Sequence, residues 1–133
     1  LGPAHDTVQG LHSAFCCIFR AEEKEVRLKV LKAHPELAVK LSKTEQLTKE
    51  SQNEQASAGL DNLTSEEYEQ FAELNRSYRE KYGFPFIIAV KNHSKSEILD
   101  NFISRIKNTE EMEFNEACAQ VEQIAEIRLL DII

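Results

Sequence analysis

Only one run of the sequence has the composition of a buried β-strand. The side chains of residues 84–90, FPFIIAV, are all apolar, and they include aromatic and β-branched ones. The sequence offers no convincing partner strand, and a lone strand cannot satisfy its backbone N–H and C=O groups. We therefore expect a buried extended segment here, or a helix that begins after Pro85, in a fold without a sheet.

The remaining apolar residues recur mainly with helical periodicity. The best-defined helix begins at a capping box formed by Thr64 and Glu67 and is stopped by Gly83. This long amphipathic helix is traced by Tyr68, Phe71, Leu74, Asn75, Tyr78 and Tyr82. Ser94 and Glu97 predict a second capping box, before a helix with one face made of Ile98, Phe102 and Ile106. The final helix is predicted through Phe114, Ala117, Val121, Ile124 and onward to Ile132.

The first part of the chain predicts further, shorter helices. One has a stripe that we expect to be buried, made of Leu11, Ala14, Phe15, Ile18 and Phe19. The next carries Val26, Val30 and Ala33 at helical spacing. This helix should end at His34, because a proline favours extended backbone geometry in the residue before it. Pro35 also favours the first turn of a new helix, which Leu37 and Leu41 would carry. A helix over residues 51–60 is also plausible, with a stop at Gly59.

These patterns predict an all-α, single-domain bundle of about six to eight helices over residues 1–133. Four glycines, three prolines and no tryptophan are the profile of a soluble helical protein, and 133 residues suffice for one sizeable core. The net charge of −7 without clustered Lys and Arg argues against a nucleic-acid partner. No apolar stretch approaches the length of a membrane span, and we expect no membrane partner.

The three cysteines do not indicate a disulfide framework or a metal site. Cys16 and Cys17 are adjacent and would bridge only with strain, and Cys118 leaves the count odd. No His/Cys spacing suggests zinc. We expect reduced thiols on helix faces, which fits an intracellular compartment.

Four places depart from what packing alone would favour. His34 falls in register with Val26 and Val30 at a helix junction, and histidine is the side chain most used for proton transfer. A cap or a satisfied core histidine is the alternative.

In SQNEQASAGL, positions i, i+3, i+4 and i+7 of one helix face hold Ser51, Glu54, Gln55 and Ala58. A solvated face with Ala56 and Leu60 buried explains this pattern equally well.

The other two places are Arg128 and the stretch YGFPFI. Arg128 lies on or beside the apolar stripe of Val121 and Ile124, where a guanidinium either reaches the rim or binds an anion such as a carboxylate. The glycine and proline of YGFPFI either shape a pocket wall with exposed backbone donors or belong to the core. Together, a histidine, a carboxylic acid, a hydroxyl and an arginine suggest acid/base chemistry on a small anion.

Four motifs, in this order and at these separations, resemble one known family. They are AHPELA (33–38), ESQNEQASAGL (50–60), LNRSYREKYGFPFIIAV (74–90) and IAEIRLLDII (124–133). The family is that of the decarboxylases of 2-oxo-4-hydroxy-4-carboxy-5-ureidoimidazoline (OHCU). The resemblance covers about residues 11–133, and it implies a cofactor-free, all-α enzyme, usually a homodimer, that forms (S)-allantoin in urate degradation after urate oxidase and hydroxyisourate hydrolase.

The resemblance also implies roles for single residues. His34 and Glu54 are the implied catalytic pair, with His34 as general base and orienter and Glu54 as the proton donor. The implied substrate-binding residues are Pro35, Ser51, Gln55, Phe84, Ile88 and Arg128. The family normally has about two further helices before the point where this sequence begins, and we expect them to be absent here.

Two other functions remain open from sequence. A non-catalytic helical module on the same scaffold would keep the pocket for a small ligand or a partner. A hydantoin racemase would use the same acid/base residues on a related ring. The last residues, DII, show no peroxisomal tripeptide, so the compartment stays open between cytoplasm and peroxisome.

Overall fold

The structure is a computed structural model that describes residues 3–37, 60 and 63–132. It contains five α-helices and one short 3-10 helix within these residues, fewer than the six to eight helices predicted. The α-helices are α1 (Pro3–Ala21), α2 (Lys24–Ala33), α3 (Ser65–Tyr82), α4 (Lys95–Arg105) and α5 (Glu110–Ile132), and the 3-10 helix is Val90–Asn92. The all-α class is confirmed. The predicted helix over 51–60, its stop at Gly59, and Leu41 lie outside the described residues.

Local sequence determines where several of these helices begin and end. Thr64 and Ser94 each form the predicted capping box, with Glu67 and Glu97 as the reciprocal partners. Gly83 ends α3 in the left-handed conformation, with φ 81°, which glycine adopts without the Cβ clash of other residues. These three predictions are confirmed.

The core forms where α3, α4 and α5 surround the extended segment 84–89. All six of these residues are buried, none lies in a strand, and the prediction of a buried extended segment is therefore confirmed. Tyr78 of α3 is fully buried, and its ring centroid lies 5.4 Å from that of Phe86 and 5.8 Å from that of Phe102. Phe86 and Phe102 stack at 3.9 Å. An aromatic cluster thus replaces strand pairing as the anchor of the segment.

Helix α5 is the element against which α1, α2 and α3 pack. Its predicted stripe is confirmed, with Phe114, Ala117, Val121 and Ile124 all buried. The predicted stripe of α4 is likewise correct for Ile98 and Phe102, which are fully buried. None of the helices in the described part of the chain has both the length and the apolar character that crossing a bilayer requires.

The predicted buried faces of α1 and α2 are wrong in part. Leu11, Ala14 and Ile18 are exposed, and α1 instead buries a face that contains Val8, Cys16 and Phe19. The buried face of α1 differs from the predicted one because it includes a polar residue, His12, which lies between Val8 and Cys16. Both ring nitrogens of His12 contact α5.

On α2 the buried residue is Leu31, with no exposed surface, whereas Val26 is 40% exposed. Val30 is partly buried and packs against the core, and Ala33 is exposed. Helix α2 therefore meets α5 through a face rotated from the predicted one. Residues 35–37 are not helical, and the residues that would continue the helix predicted after Pro35 lie outside the described part of the chain.

Candidate functional site

His34 is held where α2 ends. Its backbone is extended, with φ −73° and ψ 141°, and its N–H bonds to the Leu31 carbonyl at 3.2 Å. The predicted helix end is thus confirmed. The side chain is half-buried, and Nδ1 lies 3.1 Å from the carbonyl oxygen of Val30.

The Val30 carbonyl selects one tautomer of His34. A carbonyl oxygen only accepts, so Nδ1 must carry the proton that is donated to it. In the neutral imidazole the other nitrogen, Nε2, is then unprotonated and basic. The helix end therefore prepares His34 to take up a proton at Nε2, the arrangement that a general base requires.

The residues after His34 are tied to α3. Pro35 is half-buried, and Leu37 is buried with its carbonyl oxygen 2.9 Å from Asn75 Nδ2. Arg79, one turn along α3 from Asn75, lies 3.0 Å from the Glu36 carboxylate. The junction is consequently attached to two helices.

The extended segment contains Phe84 and Ile88, both buried. Its backbone is bonded to buried side chains from α4 and α5. Arg105 Nη1 donates to the Ile87 carbonyl at 2.7 Å, and the Ala89 N–H donates to Gln120 Oε1 at 2.9 Å. Ile88 lies between these two anchored groups, and the described residues supply no bond to its own N–H or C=O.

A buried ion pair supports this segment. Arg105 and Glu113 have side-chain exposures of 7% and 0%, and Glu113 also receives bonds from Tyr78 Oη and, at 3.1 Å, from Asn108 Nδ2. Burial, followed by the hydrogen bond to Glu113, raises the pKa of Tyr78, so its hydroxyl stays a donor. Sequence analysis missed this pair, although Arg105 is in register with Phe102 and Ile98.

Arg128 is half-buried on α5. It stands eight residues after Gln120, which is about 12 Å along the helix axis. Residues 126 and 130 face α1, about 200° around the helix from position 128. Arg128 therefore belongs to a different face of α5 from the one that α1 covers.

The predicted site residues are thus placed only in part. His34 and Pro35 follow the end of α2. Phe84 and Ile88 lie on the extended segment, and Arg128 lies on α5. Helix α5 packs against α2 and is bonded to the extended segment through Gln120. Ser51, Glu54 and Gln55 lie outside the described residues. The roles of all eight residues stay predictions.

A second polar cluster joins α1 to α5. His12 Nε2 lies 2.8 Å from the Glu122 carbonyl and Nδ1 lies 3.2 Å from the Glu126 carboxylate. Arg20 binds Glu122 through two bonds of 2.9 and 2.6 Å. A cavity of about 230 Å³ beside His12 is lined by Val8, Gln9, His12, Ser13, Glu126 and Leu130.

Two of the three cysteines are buried. Cys16, Cys17 and Cys118 are free, and Cys17 is exposed. Burial, followed by the charge of Glu122, raises the pKa of the Cys16 thiol, and burial raises that of Cys118. The described residues contain no group of three His, Cys, Asp or Glu side chains that would bind a metal ion.

The sequence is similar to proteins of known family over most of its length. The family model described as OHCU decarboxylase matches residues 2–130. An OHCU decarboxylase of Halalkalicoccus jeotgali is 41% identical over 95% of this chain, which covers 69% of that protein. The uric acid degradation bifunctional protein PucL of Bacillus subtilis is 37% identical over 96% of this chain, which spans 25% of it.

Solved structures give the same result at the level of the fold. A crystal structure of (S)-allantoin synthase superposes with a TM-score of 0.74 at 34% identity and covers 95% of this chain, which spans 38% of that one. An OHCU decarboxylase crystallised in the presence of (S)-allantoin superposes with a TM-score of 0.75 at 22% identity, over 99% of this chain and 84% of that one. The second likeness shows the fold alone.

Proposed function

The chain belongs to the OHCU decarboxylase family, and on this premise we propose that it removes CO₂ from OHCU to give (S)-allantoin in urate degradation. The enzymes of this family are carboxy-lyases by name. The observation that carries the proposal beyond family membership is the bond between His34 Nδ1 and the Val30 carbonyl, at 3.1 Å. It leaves the basic nitrogen of a half-buried histidine as Nε2, at a helix junction with a proline beside the ring.

The substrate supplies its own electron sink in this reaction. Loss of CO₂ from the carbon that bears both the hydroxyl and the carboxyl leaves an electron pair, which forms a C=C bond to the neighbouring ring carbon. The π electrons of the adjacent ring C=N bond move onto its nitrogen, which takes up a proton from solvent and becomes N–H. An enol-like intermediate results. Its hydroxyl then loses a proton to become a ring carbonyl, while the neighbouring carbon gains a proton on one face and becomes chiral. No metal or organic cofactor is required by this electron flow.

Two side chains are assigned to the proton transfers. His34 takes the hydroxyl proton and orients the ring, and Glu54 delivers the proton that sets the stereochemistry. Arg128 binds the substrate carboxylate or the neighbouring oxygens, for which its planar guanidinium is suited. Ser51 and Gln55 bind polar atoms of the substrate.

Pro35, Phe84 and Ile88 are assigned to the walls of the pocket. The backbone of Ile88 supports this assignment, because its neighbours Ile87 and Ala89 are anchored by Arg105 and Gln120 while its own polar groups receive no bond from the described residues. A planar ring with N–H and C=O edges is a suitable partner for such backbone groups.

The assembly and the compartment belong to the same proposal. We infer a homodimer in the cytoplasm or the peroxisome, from the resemblance to the family. The oligomeric state is measurable by sedimentation at the concentration used for kinetics.

The proposed activity is tested by forming the unstable substrate in place. Urate oxidase and hydroxyisourate hydrolase convert urate to OHCU, and circular dichroism follows the optically active product with and without this protein. A faster appearance of (S)-allantoin is expected. A rate equal to spontaneous decay would instead support the non-catalytic binding module, and loss of optical activity from pure (S)-allantoin would support a racemase.

A further inference from the structure

Asn75 is a polar side chain at a core position of α3. It lies on the buried face between Phe71 and Tyr78 and is 6% exposed. Its Nδ2 donates to the carbonyl oxygen of Leu37 at 2.9 Å. This contact fixes the orientation of the amide, because the reversed amide would set two acceptor oxygens against each other.

The bond reaches the chain three residues after His34. Pro35 has no N–H to donate, and residues 35 to 37 lie outside the described helices. Arg79 contacts the Glu36 carboxylate at 3.0 Å from the next turn of α3. Consecutive turns of one helix therefore hold the two residues that follow Pro35.

Packing alone does not account for an amide at this place. Asn75 Oδ1 is buried and has no hydrogen-bond partner among the described residues. An unpaired buried oxygen lowers stability, and a leucine of similar size would fill the same space without it. What leucine would lack is the N–H donor to Leu37.

We propose that Asn75 is a positioning residue for His34. Its bond to Leu37 sets the backbone of the turn, and the Val30 carbonyl holds the ring from the other side. The inference rests on the proposed function, in which Nε2 of His34 acts on the substrate. A displacement of about 1 Å at a reacting group lowers a rate on the order of a hundredfold.

Asn75→Leu removes the donor and keeps the size of the side chain. We expect kcat to fall by about tenfold to a hundredfold. We expect KM to change by less than about threefold, because Pro35 is the one residue assigned to substrate binding that lies in this turn. The helical circular dichroism of the variant should match that of the wild type at the assay temperature.

Asn75→Asp makes the same bond depend on pH. The ionised carboxyl cannot donate to the Leu37 carbonyl, whereas the protonated carboxyl can. Burial raises the pKa of the introduced carboxyl. The ratio of variant kcat to wild-type kcat should therefore rise as the pH falls. A merely structural residue would change the melting temperature with pH and leave kcat of the folded protein unchanged.

Asn101→Leu is the matched control. Asn101 on α4 donates from Nδ2 to the Glu97 carbonyl, also at 2.9 Å, far from His34 in sequence and on another helix. Its kcat should equal that of the wild type. The ring resonances of His34, assigned by their loss in His34→Ala, should move in Asn75→Leu and stay in place in Asn101→Leu.

The outcomes separate this inference from the proposed function. Wild-type protein that forms no (S)-allantoin above the spontaneous rate rejects the function, while the His34 resonances still report on positioning. The role of Asn75 is rejected if the wild type is active and requires His34, but Asn75→Leu keeps the wild-type kcat and unmoved His34 resonances.

Discussion

Arg105 and Glu113 form an ion pair inside the core, with Nη2 2.8 Å from Oε2. Arg105 uses Nη1 to bond the Ile87 carbonyl at 2.7 Å, and its guanidinium lies 4.4 Å from the ring centroid of Phe86. One charged side chain thus supports both the backbone and the aromatic ring of the extended segment. This is how an apolar run without a partner strand is accommodated in an all-helical fold.

Removal of Glu113 should therefore be severe. Glu113→Ala leaves Arg105 buried without its counter-charge, and we expect the free energy of unfolding to fall by about 3–5 kcal/mol. Glu111→Ala, at an exposed position of the same helix, should change it by less than about 0.5 kcal/mol. Urea unfolding followed by circular dichroism measures both. Equal losses of unfolding free energy in the two variants would show that the ion pair with Arg105 does not stabilise the fold.

Gln120 gives a second test of the same segment. Gln120→Leu leaves the buried Ala89 N–H without an acceptor, which should cost about 1–3 kcal/mol of stability. Because Ile88 is next to Ala89, the folded variant should also show a raised KM. Gln123→Leu, on the exposed side of α5, is the control. A wild-type KM in Gln120→Leu would argue that the segment does not contact the substrate.

Two glycines with open surroundings should respond to alanine in opposite directions. A Cβ at Gly10 or Gly83 would meet nothing within 4 Å, but only Gly83 has a positive φ, 81°. Gly83→Ala should lower the free energy of unfolding by about 1–2 kcal/mol, from the strain of the left-handed conformation. Gly10→Ala, inside α1, should raise it by about 0.4–1 kcal/mol. Thermal unfolding compares the two variants. Melting temperatures that shift in the same direction would contradict the role given to the positive φ of Gly83.

The attachment of α1 to α5 should weaken in acid. Hydrogen bonds from Arg20 lower the pKa of Glu122, against the opposing effect of its burial. A lowered pKa in the folded state means that Glu122 stabilises the fold fully above the ordinary glutamate pKa of about 4.3. This stabilisation is lost as the pH falls through the lowered value.

Glu122→Gln provides the measurement for this pH dependence. Its deficit in unfolding free energy relative to the wild type should be largest near neutral pH and shrink in strong acid. High salt should also reduce it, since Arg20 is largely exposed. A deficit that grows on acidification would show that the Arg20 contact does not set the protonation of Glu122.

Local signals made much of the fold predictable. Capping boxes at Thr64 and Ser94, the stop at Gly83 and the helix end at His34 each depend on a few adjacent residues, and each is found in the structure. The faces of α1 were not predictable in this way. Both of its stripes are largely apolar, and the choice between them depends on His12, whose partners Glu122 and Glu126 are over 100 residues away.

The site was predictable to a different extent. Residue types and motif order predict His34 and Arg128 as site residues, and their roles stay predictions. Asn75 was recognised as part of the buried stripe, but its role depends on the Leu37 carbonyl, 38 residues away. Arg105, Glu113 and Gln120 are polar residues at positions where the helical periodicity predicts apolar ones. Their tertiary partners lie on other elements of the fold, so the sequence shows the polar residue but not what it binds.

The proposed proton transfer by His34 in OHCU decarboxylation can be measured by comparing three proteins. Wild-type protein, His34→Ala and His93→Gln are added in equal amounts to OHCU formed in place, and the circular dichroism of (S)-allantoin is followed. We expect fast formation by the wild type and by His93→Gln, and only the spontaneous rate with folded His34→Ala. Near-normal formation by His34→Ala would contradict it.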